Sequence, residues 1–232
     1  MSAENVYQAI WQRKHSGDGT IPKGSRMDVA LTLISSGESA LDIGCGDGTF
    51  AAALAFRFAH VSGVDISATA IEAATRRGID ARQVNMDVEP LPFADGAFDT
   101  ITCLDVLEHV FDPRTVIPEI ARVCRPRATL VITTPNMRYW RHIRSIIAGK
   151  FPRTSMDEEA YDGGHLHYYT ASNLIALISP WFDVVCVKGV PGGSDRGLLT
   201  RLIAALPPRR QAEEFAYPGI ALLARRKASP KG

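Results

Sequence analysis

The sequence predicts one α/β domain with a doubly wound, mostly parallel sheet. Short apolar runs alternate with helical patterns from residue 39 to residue 134, as successive βαβ units do. A glycine-rich turn follows the first apolar run, at a position where such folds bind ligands. The 232 residues suffice for one domain with a full-sized core, and 46% of them are hydrophobic. The net charge of +1 gives no electrostatic reason to expect a nucleic acid as partner.

Seven apolar runs predict the strands, and helical patterns lie between them. We expect strands at 39–44, 60–65, 80–85, 98–105, 128–134, 182–190 and 214–227. Pro218-Gly219 inside the last run predicts a bulge or an edge strand. We expect helices at about 48–59, 67–77, 114–124, 170–179 and 198–210, the last of them ended by two prolines.

Two segments of the single domain 1–232 lie outside this pattern. Residues 135–169 are rich in glycine, proline and aromatic side chains, and a segment of this length predicts a cover over the substrate. Residues 1–36 predict an N-terminal helical lid, with Tyr7 and Trp11 packing inward over the ligand.

The cysteine pattern and the apolar runs predict a cytoplasmic protein. No C-x-x-C spacing occurs, so buried reduced thiols are expected rather than a disulfide framework or a zinc site. The cysteines are Cys45, Cys103, Cys124 and Cys186. No basic-then-apolar signal pattern opens the sequence, and no apolar run approaches the roughly 18 residues that cross a membrane.

The glycine-rich turn "ALDIGCGDGTF" at residues 40–50 raises the question of its ligand. Its glycines are Gly44, Gly46 and Gly48, and its acids are Asp42 and Asp47. Dinucleotide sites use G-x-G-x-x-G, whereas this spacing is G-x-G-x-G. Carboxylates beside a pyrophosphate would repel it by roughly a few kcal/mol. The turn therefore favours a cationic ligand without phosphate.

Two further acids complete a nucleoside pattern. Asp65 ends the second predicted strand, where a carboxylate accepts hydrogen bonds from both ribose hydroxyls. Asp87 lies just past the third strand, within reach of an adenine amino group. Ribose and adenine contacts without phosphate describe S-adenosylmethionine. Each of these signals is weak when taken alone. Glycines can serve only to form a tight turn, and an acid after a strand can be a helix cap.

Four motifs in order resemble those of class I S-adenosylmethionine-dependent methyltransferases. They are "ALDIGCGDGTF", "VSGVDIS", "VNMDVEPLPFADGAFDTITCLDVLEHVFDP" and "ATLVITTPN", and the resemblance covers about residues 39–190. It implies a Rossmann-like sheet of order 3-2-1-4-5-7-6 with strand 7 antiparallel, helices on both faces and a cover insertion after strand 5. The family usually has Pro-Gly-Gly before strand 5, where this chain has Pro126-Arg127-Ala128, at a turn remote from the cofactor.

Later phrases resemble a narrower set of these enzymes. "PNMRYW", "GKFP" and "DGGHLHYYT" are similar to motifs of ubiquinone-pathway O-methyltransferases, sugar or polysaccharide methyltransferases, and methionine-biosynthesis methyltransferase-like proteins.

The resemblance also implies roles for individual residues. The methionine side of the cofactor would be bound by Asp42, Gly44, Gly46 and Gly48. Asp65 would hold the ribose, Leu104 would lie near the sulfonium, and the adenine would meet Ile66, Met86, Asp87 and Val88. Asp47 is either a cofactor contact or an acid at the helix N-terminus.

Three histidines are candidates for the base that an oxygen acceptor requires: His109, His165 and His167. Each has a structural alternative, such as a hydrogen bond to the backbone. A metal site formed by the last two with Asp162 is the weaker interpretation, and no metal is predicted. Tyr139, Trp140 and Tyr168 are expected to line the acceptor site, although some can form the cover's own core.

These patterns predict a methyltransferase that acts on a small molecule, most simply on oxygen, and releases S-adenosylhomocysteine. The main alternative is a non-catalytic or partner-dependent accessory protein. A nicotinamide-dependent oxidoreductase and a nucleic-acid methyltransferase are poorer alternatives. A homodimer or a complex with a partner enzyme is compatible with the sequence, and no integral membrane segment is expected.

Overall fold

The computed structural model describes residues 5, 7–9, 11, 19–155, 164–191, 198–206 and 209–228. Within them the strands are β1 (Gly37–Ile43), β2 (Phe58–Asp65), β3 (Asp80–Gln83), β4 (Phe98–Leu104), β5 (Cys124–Pro135), β6 (Phe182–Val190) and β7 (Gly219–Arg226). They form one sheet in the order β3-β2-β1-β4-β5-β7-β6. β7 is antiparallel to both of its neighbours, and the other pairs are parallel. The predicted fold class and strand order are confirmed.

Helices cover both faces of the sheet. They are α1 (Arg26–Leu33), α2 (Thr49–Leu54), α3 (Ala68–Arg76), α4 (Pro113–Val123), α5 (Trp140–Ile147), α6 (Ala171–Ile178), α7 (Leu198–Ala204) and α8 (Arg209–Ala216). On one face, Ile101 and Ile132 pack with Ile120 of α4 in the larger core. On the other, Val131 packs with side chains of α1 and α2. Because both faces are buried, the central strands are continuous apolar runs.

Side chains at the helix starts explain where three helices begin. Ser67 accepts a hydrogen bond from the backbone of Ala70 at the start of α3. Asp112 does the same before α4, where Pro113 occupies the first turn. Thr170 and Asn173 form a reciprocal capping box at the start of α6. Such caps satisfy N–H groups that lack a partner within the helix.

The structure corrects several element boundaries. The stretch 198–210 forms two helices, because prolines at 207 and 208 cannot continue the first one. The prediction of a strand from residue 214 is wrong, since α8 runs to Ala216 and β7 begins at Gly219. The helix expected at 48–59 ends at Leu54, and β5 begins at Cys124, four residues early.

The segment 135–169, which the sequence predicts as a cover, contains a helix that the sequence reasoning did not predict. Residues 135–155 and 164–169 of it are described, and they include α5. An isolated parallel bridge between Asn136 and Tyr169 closes the segment at its base. Asp162 lies outside the described residues.

Cys45, Cys103 and Cys124 are buried and Cys186 is half-buried, and no disulfide joins any of the four. Among the described residues, none of the helices has the length and apolar character that crossing a membrane requires.

Candidate functional site

A cavity of about 690 Å³ opens at the carboxyl edge of the sheet, where β1, β2 and β4 end. Its volume lies within the roughly 300–1,000 Å³ of small-molecule sites. The lining residues named in the sequence analysis are Tyr7, Trp11, Gly44, Asp65, Ile66, Met86, Asp87, Leu104, His109 and His165. Parallel strands bring their carboxyl ends to one edge, and this explains why residues distant in sequence meet here.

The glycine turn is shaped by close packing as well as by the cavity. Gly44 lines the cavity, and a Cβ at this position would clash with the side chain of Val106. A Cβ on Gly46 would lie 2.6 Å from the indole ring of Trp11. Gly48 packs against the backbone of Ala74 in α3. All three glycines have positive φ, a region that other residues rarely adopt.

Asp65 joins the turn to the cavity. One of its carboxylate oxygens accepts a hydrogen bond from the Gly46 N–H at 2.9 Å, and the other accepts from the Ser67 N–H at 2.9 Å. The carboxylate therefore fixes the turn and the start of α3, and it also lines the cavity.

The two acids of the turn lie behind the cavity wall rather than in it. Asp42 is buried and accepts a hydrogen bond from the Thr102 hydroxyl at 2.7 Å. Burial, together with the charge of Asp65, raises its pKa to about 7. Asp47 accepts from Thr49 N at 3.1 Å and pairs with Arg77 at 3.0 Å. Despite the opposing effect of burial, these hydrogen bonds lower the pKa of Asp47, which is placed as the acid at the α2 N-terminus.

Most of the residues predicted to contact the adenine lie together in the cavity wall. Ile66, Met86 and Asp87 line the cavity, but Val88 does not, because its side chain is 79% exposed to solvent. The Asp87 carboxylate also accepts a hydrogen bond from the Phe111 N–H at 2.7 Å.

Two of the three candidate histidines face the cavity. His109 Nδ1 shares a 2.7 Å hydrogen bond with the Tyr7 hydroxyl, and His165 Nδ1 shares one of 2.7 Å with the Thr154 hydroxyl. Their ring centroids are 4.6 Å apart. His167 does not line the cavity, because its Nε2 lies 3.0 Å from the carbonyl oxygen of Val110, in a backbone-binding position.

The aromatic residues expected at the acceptor site do not line the cavity. Tyr139 is buried at the start of α5 and packs on Trp140 and His142. Tyr168 packs edge-on against Phe151, 5.1 Å between ring centroids. Formation of α5 directs the side chains of Tyr139 and Trp140 into packing within the segment 135–169.

Sequence reasoning missed a guanidinium in the cavity wall. Arg26 lines the cavity at the start of α1 and lies 3.3 Å from the Asp105 carboxylate. Asp105 follows β4 with a φ of 54°, a strained value for a residue other than glycine, and it accepts a hydrogen bond from the Thr133 hydroxyl. No sequence motif marks Arg26, since only the packing of α1 brings it here.

Glu108 is a second residue that the motifs did not single out. It is buried, and its carboxyl oxygens find no hydrogen-bond partner among the described residues. Burial, followed by the charge of Asp105, raises its pKa well above the ordinary value. Ligand atoms of Glu108, His109 and His165 lie within 4.8 Å of one another. A carboxylate with two imidazoles could bind a divalent cation. The sequence analysis considered a metal site only with Asp162 as the carboxylate.

The strand order and the cavity at the carboxyl edge of the sheet agree with the resemblance to class I S-adenosylmethionine-dependent methyltransferases. Residues 41–132 match the family model described as a methyltransferase domain. The ubiquinone biosynthesis O-methyltransferase of Dechloromonas aromatica (strain RCB) is 30% identical over 144 residues, 59% of this chain and 60% of that protein. The ubiquinone biosynthesis O-methyltransferase of Hahella chejuensis is 35% identical over 50% of each chain. This chain therefore spans 50–60% of the length of these relatives.

Solved structures extend the likeness in fold to nearly the whole chain. A complex of the Haloferax volcanii Trm112 methyltransferase activator with a putative methyltransferase aligns at 15% identity, with full coverage of both chains and a TM-score of 0.68. At such low identity the likeness shows the fold alone.

Proposed function

We propose that the protein transfers a methyl group from S-adenosylmethionine to an oxygen atom of a small molecule. The observation that carries the proposal is the charge of the cavity wall: the carboxylates of Asp65, Asp87 and Asp105 line it. Among the described lining residues, Arg26 alone carries a guanidinium or ammonium group, and it lies beside Asp105. Such a wall attracts a sulfonium nucleoside and repels a diphosphate.

The residues present fit this cofactor. Asp65 would accept hydrogen bonds from the ribose hydroxyls, and Ile66 with Met86 would pack on the adenine. Arg26 would bind the methionine carboxylate, since a guanidinium matches a carboxylate bidentately. When bound, the cofactor supplies a methyl group on a sulfonium, which is already a good leaving group.

The chain's contribution to transfer is positioning and proton removal. The acceptor hydroxyl would lie between the cofactor and the two imidazoles. Holding its oxygen in line with the methyl group and the sulfur would supply much of the rate acceleration. His109 would take the proton, since its Nδ1 is fixed by Tyr7 and its ring lines the cavity. Oxygen is favoured because two imidazoles line the cavity and because the curated relatives are named O-methyltransferases.

Titration calorimetry with S-adenosylhomocysteine tests the cofactor assignment. Asp65→Asn should weaken binding about tenfold or more, because the amide cannot accept as well as a carboxylate from two hydroxyls. Asp80→Asn, at an exposed carboxylate of β3, is the matched control and should bind like the wild type. Equal affinity of Asp65→Asn and wild type would remove the ribose assignment.

The acceptor is found by incubating the protein with methyl-labelled S-adenosylmethionine and a panel of phenols, amines and carbon acids. Label on a phenol oxygen supports the proposal. Label on an amine alone contradicts the choice of oxygen.

A partner-dependent protein is the second candidate. The Haloferax volcanii protein of the same fold was solved with an activator, and fold alone does not fix activity. Cofactor binding without transfer by the isolated chain, with transfer restored by a co-purifying protein, would favour this candidate.

A further inference from the structure

Three described side chains near the amino terminus contact the site from outside the sheet: those of Tyr7, Gln8 and Trp11. The described residues 7–9 and 11 are here termed the N-terminal segment, and all of them are half-buried. Tyr7 and Trp11 line the cavity. No sequence motif marks Gln8, which lies between these two aromatic residues in the chain.

The Gln8 amide is bound through both of its polar atoms at the start of α3. Its oxygen accepts a hydrogen bond from the Ser67 hydroxyl at 2.9 Å, and its nitrogen donates to the Thr69 hydroxyl. Ser67 is fully buried, and its hydroxyl also accepts from Ala70 N as the cap of α3. Because a hydroxyl can donate once and accept twice, Ser67 serves the helix and Gln8 together.

The start of α3 is also joined to the glycine turn. Ser67 N donates to one oxygen of Asp65, and Gly46 N donates to the other, each at 2.9 Å. The indole ring of Trp11 covers Gly46 so closely that a Cβ there would lie 2.6 Å from it. The N-terminal segment therefore packs on both parts of the fold that Asp65 joins.

Tyr7 extends from this anchored position to His109. Its hydroxyl lies 2.7 Å from His109 Nδ1, and the two rings meet edge-on with centroids 5.3 Å apart. The carbonyl oxygen of Gly164 lies 3.5 Å from the same nitrogen. A carbonyl can only accept a hydrogen bond, and the tyrosine oxygen can accept a second one. These two oxygens favour the neutral imidazole that carries its proton on Nδ1.

We propose that Gln8 is a positioning residue, which holds Tyr7 against His109 through its hydrogen bonds at the start of α3. With the ring proton kept on Nδ1, His109 Nε2 is left to take the proton of the methyl acceptor. This use of Nε2 rests on the proposed function. The anchoring of Tyr7 by Gln8 does not, so the two can fail separately.

Nitrogen NMR of the histidine rings tests the anchoring without any methyl acceptor. At a pH at which the imidazoles are neutral, the His109 signals, identified by their loss in His109→Gln, should be those of the Nδ1–H tautomer. Tyr7→Phe and Gln8→Ala should each shift the population towards Nε2–H, because Nδ1 loses an acceptor. Gln211→Ala removes an exposed amide of α8 and should leave the signals unchanged.

Kinetics with an identified acceptor separate positioning from a general loss of stability. Gln8→Ala and Tyr7→Phe should each lower kcat by about tenfold or more, since both disturb the same imidazole. The double variant should be about as slow as the slower single variant, because residues that act through one group are not additive. In Gln8→Ala, S-adenosylhomocysteine binding should weaken at most about fivefold.

Two further variants keep the proposal testable if Gln8→Ala does not fold. Gln8→Glu retains an oxygen for the Ser67 hydroxyl and should keep the wild-type tautomer. Gln8→Asn is one methylene shorter and should lose it. Equal tautomer populations in these two variants would overturn the proposal. So would an unchanged His109 signal in folded Gln8→Ala, or losses of kcat that multiply in the double variant.

Discussion

Asp42 is a buried carboxyl that makes stability depend on pH. Its pKa is about 7 in the folded protein and ordinary, near 3.9, in the unfolded chain. Between these pH values the folded state binds one proton more than the unfolded state. Stability therefore falls as pH rises from about 4 to about 7, and this loss is complete above pH 7.

We predict that Asp42→Asn flattens this dependence. The amide cannot ionise, so the variant should gain stability relative to the wild type as pH rises, by an amount on the order of a few kcal/mol. Urea unfolding from pH 5 to pH 8 measures it, with Asp80→Asn as the control for loss of an exposed charge. Parallel curves for Asp42→Asn and wild type would contradict the assignment.

His109 is expected to accept the acceptor's proton. His109→Gln should lower kcat by about 10²–10⁴-fold with little change in cofactor affinity. His60→Gln, at an exposed histidine of β2, is the control and should keep full activity.

The same assay distinguishes proton transfer from metal binding. Chelator treatment should leave the rate of the wild type unchanged if His109 acts as the base. Loss of activity that a divalent cation restores would instead assign Glu108, His109 and His165 to a metal site.

Among the elements, α5 depends on one glycine. Gly149 has a φ of 73° and would contact nothing through a Cβ, so a substitution there tests backbone conformation alone. Gly149→Ala should lower the free energy of unfolding by about 1 kcal/mol. Gly149→Asn, which tolerates this conformation, should lose less. Chemical denaturation compares them, and an equal loss in both variants would contradict this explanation.

The sequence predicted the strands whose position is determined by burial. It failed where local chemistry determines the position of a helix or a boundary. The apolar runs of β1, β4 and β5 are visible in the sequence because both faces of these strands are covered. The boundary between α8 and β7 was missed, because apolar residues on both sides of Pro218 read as one run. α5 was missed because its apolar residues alternate with cations and, of its side chains, only His142 is buried.

At the scale of the molecule, topology explains which site residues could be predicted. Gly44, Asp65 and Leu104 end or follow strands, and the strand order places them at one edge. Arg26 reaches the same cavity only through the packing of α1 across the sheet, which no motif records. Trp140 was predicted at the site from composition alone, and its surroundings were set by a helix that the sequence did not reveal.

The antiparallel β7 lies between β5 and β6, and β6 pairs with no other strand among the described residues. During synthesis, therefore, β6 leaves the ribosome before the strand that must receive it. The nascent sheet can assemble from β3 to β5, but its other border stays open until residues 219–226 have emerged. Chaperone binding to partly synthesised chains should persist until then.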